Sequence, residues 1–410
     1  MLPINSTQFP TSFKRLAWSN LSAQLAEQIG LAAAPMIAVL ILGANAGEAG
    51  LLQTAQTLPF LILALPAGVL VDRVSRRQMM VSAEMMRALS LVCILLLAVF
   101  GQLSLPLLAV LGFVGAASTV VYNVAAPSLV PGLVSHDLLT AANGRIELAR
   151  SSAFAVGPAL AGTLIGWIGT QSVYAVATAI SILAVFLLVG LTEPARPARE
   201  HRHVLHDLRE GAVFVLGHPL LWPMLLTAVI FNIAWFILQA IYVLYAVRYL
   251  GFSTSTVGIT LAIFGVGMVS GAIIAPRIAK WLPFGVMLVL GPFSALIGAL
   301  IMALTILTPS VLLAELSFFL FGIGPIIWTI ASTTLRQAII PGNMLGRASA
   351  LVMMATFGAR PIGAALGAFI GSTYGVKACI VVSAIGFFVQ FIIIIISSVS
   401  KLSKLPQRVE

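Results

Sequence analysis

Charged residues are scarce in this chain. Asp, Glu, Lys and Arg together make up 8% of its 410 residues, whereas a soluble domain carries about 25%. This scarcity excludes a soluble globular protein, since 60% of the residues are hydrophobic and the mean hydropathy is +1.09. Runs of about 20 apolar residues recur along the chain, and each is long enough to cross the hydrocarbon core of a bilayer as a helix. The sequence therefore predicts an all-α membrane protein.

Cysteine and histidine are also rare. Cys93 and Cys379 lie in apolar runs, and they indicate neither a disulfide framework nor a metal site. His201, His203 and His206 lie close together, but no carboxylate or cysteine stands at a ligand spacing beside them. We therefore expect no metal and no cofactor, and the five histidines do not supply the cluster that a membrane enzyme would need. No Gly-x-x-x-x-Gly-Lys-Ser/Thr loop is found, which argues against direct use of ATP.

Twelve membrane spans are predicted, and the basic residues orient them. Seventeen of the 22 Lys and Arg residues fall at the termini or at connections on one side of the spans, while only Arg248 and Lys377 fall on the other. An excess of Lys and Arg marks the cytoplasmic face, so both termini are predicted to be cytoplasmic. This bias explains the net charge of +10 without nucleic-acid binding. The predicted spans are 16–44, 48–70, 79–100, 104–127, 141–166, 172–191, 217–248, 255–279, 284–305, 309–334, 346–371 and 376–399.

The longest polar stretch, TEPARPAREHRHVLHDLREG at 192–211, divides the chain into similar halves. A Pro-Gly, an Arg at the helix start, a Pro in mid-helix and a Gly-x-x-x-Gly recur about 205 residues apart, in spans five and eleven. Two related six-helix halves are typical of alternating-access transporters. The predicted domains are therefore an N-terminal half (1–191), a cytoplasmic linker (192–216) with an amphipathic helix, and a C-terminal half (217–410).

A cluster of charge between spans two and three carries the most specific motif. The segment GVLVDRVSRRQ at 68–78 has four charged residues among the six from Asp72 to Arg77. It resembles the Gly-x-x-x-Asp-Arg-x-Gly-Arg-Arg/Lys loop of the major facilitator superfamily, with Ser75 at the second Gly. VGPALAG at 156–162 resembles the Gly-Pro motif of that superfamily's exporters. VYNVAAPSLVPGLVSHDLLTAANG and MLGRASAL resemble the branch with the enterobactin exporter and macrolide efflux pumps. The resemblance implies the major facilitator fold, with twelve transmembrane helices in two six-helix pseudo-symmetric halves.

The resemblance also implies that this loop acts as a conformational latch between the halves. The carboxylate of Asp72 would face the positive N-terminus of span eleven, near Arg347. Gly68 would let span two pack closely on its neighbour. The arginines would pair with Asp72 or with lipid phosphates, although simple positive-inside charge explains the last two equally well. The predicted latch residues are Gly68, Asp72, Arg73, Arg76 and Arg77.

Ionisable residues inside the spans are candidates for proton coupling, because a charge at mid-membrane costs ~2.5–3.5 kcal/mol on insertion scales. Glu27 lies near the middle of span one, and Arg360 near the middle of span eleven. Arg360 could neutralise Glu27 or attract an anionic substrate. Span four lacks the Arg that many proton-coupled relatives carry there, so either Glu27 couples alone or Arg150 substitutes. The predicted proton-coupling residues are Glu27, Arg150 and Arg360.

Other polar and small residues of the spans predict a substrate cavity and the packing around it. An aromatic and polar face of span seven suits an amphipathic organic molecule, and a polar face of span one should also point into the bundle. Glu84 and Arg87 of span three are interpreted as a structural ion pair near the cytoplasmic end. The predicted cavity residues are Asn20, Gln24, Asn232, Trp235, Gln239 and Tyr242. The predicted helix-packing residues are Gly157, Pro158, Gly162, Pro361, Gly363 and Gly367.

These features predict a secondary-active transporter of the inner membrane. We expect a monomer that uses alternating access and a proton gradient to export a small amphipathic compound, such as a drug, siderophore or metabolite. An uptake symporter of the same fold is the alternative within transport. A non-transporting membrane receptor or assembly protein is the alternative from another class, and the mid-membrane carboxylate of Glu27 argues against it. The expected partners are the substrate, protons and the lipid bilayer.

Overall fold

The chain folds into consecutive α-helices in a computed structural model that describes residues 9–134, 139–193, 204–279, 281–340 and 345–406. These residues contain no β-strand. The helices are α1 (Thr11–Leu40), α2 (Ala46–Ile62), α3 (Ala64–Arg73), α4 (Arg76–Val99), α5 (Leu105–Leu133), α6 (Leu139–Trp167), α7 (Thr170–Val189), α8 (Val204–Gly217), α9 (Leu221–Arg248), α10 (Thr254–Ile278), α11 (Phe284–Leu304), α12 (Val311–Ile339), α13 (Leu345–Thr373) and α14 (Val376–Ile396).

Eleven of the described helices are long and apolar enough to cross a membrane, and each coincides with one predicted span. The prediction of one continuous helix at 48–70 is wrong, because α2 and α3 are separated at Leu63. Pro66 has no N–H to donate to the carbonyl of Ile62, and its ring crowds that carbonyl, so the helix is interrupted here. Helix α2, of 17 residues, and α3, of 10 residues, together take the place of the second span.

The helices pack as two groups. Helices α1–α7 pack mainly on one another, as do α9–α14. The first group has a buried cluster that includes Phe13 and Tyr122, and the second has one that includes Met287 and Leu335. Helix α8 lies between the groups in sequence and packs against α13 and α9, so the predicted linker helix is present. Where the two groups meet, α2 packs against α13, and α6 packs against α10.

Both ends of the described chain lie at the same end of the bundle as α8. Arg15 donates to the carbonyl of Gly190, just after α7, and Ser398 Oγ donates to the carbonyl of Pro219, between α8 and α9, at 3.3 Å. We call this end the linker face and the other end the opposite face. At the opposite face Arg248 Nη2 donates across the two groups, to the carbonyls of residues 43 and 44 at 3.0 and 2.9 Å.

Small residues allow the two groups to touch toward the opposite face. A Cβ atom added at Gly162 of α6 would lie 2.7 Å from the carbonyl oxygen of Thr254 and 2.8 Å from Cα of Gly258, so the backbones of α6 and α10 are in contact. A Cβ added at Gly50 of α2 would lie 2.5 Å from Cα of Ala368 in α13. The groups are therefore closed against each other on this side.

The other predicted packing residues lie at contacts within each group. Gly157 of α6 faces Gln28 of α1, where an added Cβ would lie 2.5 Å from the Gln28 Cβ. Gly363 and Gly367 of α13 face α9, at the backbones of Ile233 and Ile237. Two prolines in the interior of these helices complete the predicted set, namely Pro158 in α6 and Pro361 in α13.

Candidate functional site

A cavity of about 690 Å³ lies between the two groups of helices. One wall comes from α1, α2 and α6, and the other comes mainly from α9, α10, α12 and α13. The lining includes Leu221, the first residue of α9, and Arg336, near the end of α12, both at the linker face. The contacts of Gly162 and Gly50 close the bundle on the other side. The cavity therefore reaches the linker face and is shut toward the opposite face.

Helix α9 supplies an aromatic and polar wall. Asn232, Trp235 and Gln239 line the cavity. The indole of Trp235 stacks on Phe264 with ring centroids 5.0 Å apart, and it meets Phe321 edge to face at 4.8 Å. Such a wall can hold an aromatic or amphipathic molecule while the neighbouring amides orient its polar groups.

Tyr242, the fourth residue predicted on this face, does not line the cavity. It is fully buried, with its hydroxyl bonded to Thr260 Oγ1 at 2.5 Å and its ring 4.4 Å from that of Phe318. The prediction for Tyr242 is therefore wrong. At this level α9 is covered by α10 and α12, so the same helical face points into packed protein.

Asn20 and Gln24 of α1 also lie outside the cavity. Asn20 Nδ2 donates to the carbonyl of Ile146 in α6 at 3.3 Å, and Gln24 Nε2 donates to Asn123 Oδ1 in α5 at 3.0 Å. Both side chains are buried within the first group of helices. The cavity prediction for these two residues is wrong, because this part of α1 packs against α5 and α6 before its later residues reach the cavity.

Glu27 lines the cavity and also joins a buried charge network behind it. Its Oε2 atom lies 3.9 Å from Nη2 of Arg87 in α4, and its side chain is 11% exposed. Arg87 Nη1 lies 2.6 Å from Oε2 of Glu84. Arg87 is thus shared between two carboxylates, one of which faces the cavity and one of which does not.

Further hydrogen bonds hold this network in place. Arg87 donates to the carbonyl of Ala23 at 3.0 Å and to Thr119 Oγ1 at 2.9 Å. Ser181 Oγ donates to the other oxygen of Glu84 at 2.6 Å. The predicted ion pair of Glu84 and Arg87 is confirmed, but its predicted place near the cytoplasmic end is wrong, because Arg87 lies in the middle of α4 and the two residues are 0% and 3% exposed. Arg87 is the twelfth of the 24 residues of α4, too deep for its side chain to reach the surface, and that depth is the signal that sequence analysis missed.

A smaller cavity of about 60 Å³ lies behind Glu27, among α1, α2, α4, α5 and α7. It is bordered by Glu27, Arg87, Gln56 and Tyr174. Three buried atoms at these residues, Gln56 Oε1, Arg87 Nε and Tyr174 Oη, have no hydrogen-bond partner among the described residues. The wall of this space is mostly apolar, and these side chains are among the few polar groups that border it.

Arg360 of α13 lies on the wall facing Glu27, but it is not the described ion-pair partner of Glu27. Its Nε donates to Asn232 Oδ1 at 3.2 Å. Its guanidinium lies over the ring of Phe357, 4.1 Å from the centroid, and near the rings of Phe60 and Phe236 at 5.4 and 5.5 Å. Among the described residues no carboxylate lies within 4.0 Å of it.

Two further arginines line the same cavity. Arg150 of α6 pairs with Glu147, with Nη2 and Oε1 2.5 Å apart, and lies over the ring of Phe154. Arg336 of α12 donates to Thr333 Oγ1 at 3.1 Å, and sequence analysis had counted it only as a topological charge. All three predicted coupling residues, Glu27, Arg150 and Arg360, therefore surround one cavity.

The family of the chain follows from its sequence as well as from this architecture. The profile described as Major Facilitator Superfamily matches residues 16–364. The chain belongs to this superfamily. The predicted family and twelve-helix fold are thus confirmed, and this major facilitator chain is a multi-pass membrane protein.

Named relatives and solved structures agree with this membership. Macrolide efflux protein A of Streptococcus pyogenes is 24% identical over 90% of this chain and 92% of its own length. Enterobactin exporter EntS of Citrobacter koseri is 24% identical over 78% of this chain and 76% of its own. The crystal structure of a bacterial homologue of the iron transporter ferroportin, in an inward-facing state, has the same fold. It matches with a TM-score of 0.73 and 15% identity, over 94% of this chain and 98% of that one.

The superfamily loop is described in part. Gly68, Asp72 and Arg73 belong to α3, but their side-chain surroundings and those of Arg347 lie outside the described residues. The contact between Asp72 and the start of α13 therefore stays a prediction.

The described part of the loop is bound within the first group of helices. Arg77 donates to the carbonyls of Leu188 and Val189, at the end of α7, at 3.3 and 2.5 Å. Glu193 accepts from the backbone N–H groups of Arg76 and Arg77, both at 3.1 Å, and from the hydroxyl of Ser75 at 2.5 Å. The cation of Arg77 thus lies at the C-terminus of α7, and the carboxylate of Glu193 lies at the N-terminus of α4. Both charges are favourable with respect to the helix dipoles. Ser75 is also the N-cap of α4, a role that the usual Gly could not fill with a side chain.

Proposed function

We propose that this transporter exports a small amphipathic compound across the inner membrane in exchange for protons. The observation that carries the proposal is the position of Glu27, which lines the central cavity and also lies in the Arg87 network. One carboxylate can therefore respond both to a substrate and to a proton. The printed names of two relatives, a macrolide efflux protein and an enterobactin exporter, support export as the direction.

The network offers a way for Glu27 to change its charge at low cost. A buried charge that loses its partner is strongly destabilising. When Glu27 takes up a proton, Arg87 keeps the closer carboxylate of Glu84, 2.6 Å away, and no buried cation is left unpaired. When Glu27 releases the proton, Arg87 attracts its carboxylate across 3.9 Å. In this proposal Glu84 holds Arg87 in position, and Glu27 is the residue that titrates.

The small cavity behind Glu27 supports access for protons. Buried polar groups without protein partners are usually bonded to water, and a space of about 60 Å³ bordered by several such groups is large enough for water. Water bonded to Gln56, Tyr174 and Arg87 would lie against the carboxylate of Glu27 on the side away from the main cavity. A proton could then reach Glu27 without crossing the bound substrate.

Alternating access would follow from movement of the two groups of helices. The excess of Lys and Arg at the linker face supports a cytoplasmic location for that face and for both termini. The described state would then be open to the cytoplasm. Rocking of residues 1–191 against residues 217–410, connected by the segment 192–216, would open the contact at Gly162 and expose the cavity on the other side.

Inverted membrane vesicles with an acidic lumen test this function. Their exposed outer surface is the cytoplasmic face, so a proton antiporter should accumulate fluorescent amphipathic compounds in the lumen until a protonophore collapses the gradient. Vesicles without the protein give the background. The proposal is excluded if accumulation is unchanged by the protonophore, or if none of a broad panel of such compounds is transported. Accumulation that requires an acidic exterior instead would establish the uptake alternative.

A further inference from the structure

We propose that the central cavity selects organic anions, and that Arg360 binds the acidic group of an aromatic or otherwise amphipathic substrate. This inference rests on the proposed transport function, because it names the chemical class of compound that the cavity takes. Four observations carry it: the charge balance of the lining, the free donors of Arg360, the way its guanidinium is held, and the aromatic wall beside it.

The ionisable side chains of the cavity lining are unbalanced. They are three arginines, at positions 150, 336 and 360, and one carboxylate, Glu27. Glu27 already faces Arg87 behind the wall, and Arg150 already pairs with Glu147. Arg336 and Arg360 have no carboxylate within 4.0 Å among the described residues. The cavity thus presents two cations that no described carboxylate offsets at close range. The negative charge of an anionic ligand would offset them.

Arg360 keeps its best donors for a ligand. Within the described residues its hydrogen bond is made by Nε, to Asn232 Oδ1. No hydrogen bond of its two terminal amino groups is found among the described residues, and Arg360 is part of the cavity wall. A guanidinium with two free amino groups can bind a carboxylate through two parallel hydrogen bonds, which is the geometry that makes Arg the preferred residue for such groups.

The surroundings of Arg360 fix its orientation without neutralising it. Phe357, Phe60 and Phe236 provide ring faces near the guanidinium, the nearest at 4.1 Å. Contacts of this kind stabilise a cation in place but contribute no negative charge. The bond to Asn232 sets the rotation of the planar group. Arg360 is therefore held as a prearranged donor, and little conformational freedom is lost when an anion binds.

The apolar part of the ligand has a place one helical turn away. Trp235 follows Asn232 by three residues on the same face of α9, and it stacks on Phe264. A molecule with an acidic group at Arg360 would lay its apolar body against this wall. A cationic amphipathic molecule would bring its charge toward Arg360 in the same orientation, which the cavity disfavours.

Three probes with one aromatic body and different head groups test this inference. They are pyrenebutyrate, pyrenebutanol and pyrenebutylamine, with binding to the full-length protein in lipid nanodiscs followed by energy transfer from tryptophan. We expect pyrenebutyrate to bind tightest and pyrenebutylamine weakest. Arg360→Gln should weaken pyrenebutyrate about tenfold or more and leave pyrenebutanol unchanged, because a hydrogen-bonded charge pair is lost only for the acid. Arg360→Lys should retain part of the preference.

Arg277→Gln is the matched control. Arg277 is an exposed residue of α10 outside the cavity, with its guanidinium on the carbonyl of Ile273, so its replacement should leave the binding of all three probes unchanged. The inference is overturned if the amine binds as tightly as the acid, if no probe binds above the nanodisc background, or if Arg360→Gln weakens all three equally. Anion preference in nanodiscs without proton-driven flux of the same probes in inverted vesicles would refute the transport function alone. Proton-driven flux that prefers the amine would refute the anion site alone.

Discussion

Glu27 and Arg87 face each other from different helices, with Oε2 of Glu27 in α1 and Nη2 of Arg87 in α4 3.9 Å apart. The separation is longer than a hydrogen bond, whereas Glu84 lies 2.6 Å from the same guanidinium. The two carboxylates are therefore not equivalent. Glu84 makes the closer contact with Arg87, and in the proposed mechanism Glu27 is the carboxylate that takes up and releases the proton.

Glu27→Gln should abolish proton-driven accumulation and preserve binding. The amide has nearly the same shape but cannot carry a proton on and off, so accumulation in acid-lumen vesicles should fall to the level seen with a protonophore. Binding of the neutral probe pyrenebutanol should stay near that of the native protein. Glu48→Gln is the control, because Glu48 closes the capping box of α2 and Gln preserves that motif. Native accumulation in the Glu27 variant would remove Glu27 from the coupling mechanism.

Arg87→Met should destabilise the protein more than the double variant with Glu84→Gln. Removal of Arg87 leaves the fully buried carboxylate of Glu84 without its cation, which costs about 3–5 kcal/mol for a buried pair. When both charges are removed, most of that penalty disappears. The midpoint of thermal unfolding in detergent reports the difference. If the destabilisation of the double variant equals the sum of the effects of the two single substitutions, the residues are energetically independent. The network then does not hold Arg87 in place.

The fold was largely predictable because each span corresponds to a continuous apolar run of the sequence. The break at Leu63 was not, since Pro59 and Pro66 stand in one such run and membrane helices often contain proline. Which of the two prolines interrupts the helix depends on whether neighbouring groups satisfy the freed carbonyl, and sequence alone does not name those neighbours.

The site was predictable in type but not in detail. A helical face can be read from spacing, yet Gln24 and Glu27 share a face of α1 while only Glu27 reaches the cavity. The difference arises from the helices that cover each level of α1, and these come from more than 90 residues away in the chain. The pairing of Glu27 with Arg87 rather than Arg360 is a long-range contact of the same kind.

Asp72→Asn should slow transport more than it weakens substrate binding. The superfamily loop is predicted to stabilise one of the two end states through the charge of Asp72 at the start of α13, so the variant changes the rate of exchange between states. Turnover in vesicles should fall by up to severalfold, because the charge at a helix end is worth about 0.3–1 kcal/mol. The affinity for the probes should stay within about twofold of the native value, because Asp72 is not one of the predicted cavity residues. A variant with native turnover would leave the loop as a topological signal only.

Gly162→Val should shift the protein away from the state closed at the opposite face. The backbones of α6 and α10 touch at Gly162 and Gly258, where an added Cβ would lie 2.8 Å from the facing Cα. Two carbon atoms at this distance would clash, so α6 and α10 must move apart. This contact joins the two groups of helices and is not part of the packing inside either group. The substitution is therefore expected to separate the groups on this side without unfolding them.

Spin labels at the opposite face measure this separation. Gln102 lies in the turn between α4 and α5, Tyr374 lies between α13 and α14, and both are exposed, so a cysteine pair at these positions reports the distance across the two groups. Cys93 and Cys379 are replaced by alanine in every sample. Gly162→Val should populate a longer distance that is minor in the native protein. Gly217→Val is the control, because no atom lies within 4 Å of a Cβ added there. An unchanged distance distribution in Gly162→Val would mean that the α6 and α10 contact does not close the cavity.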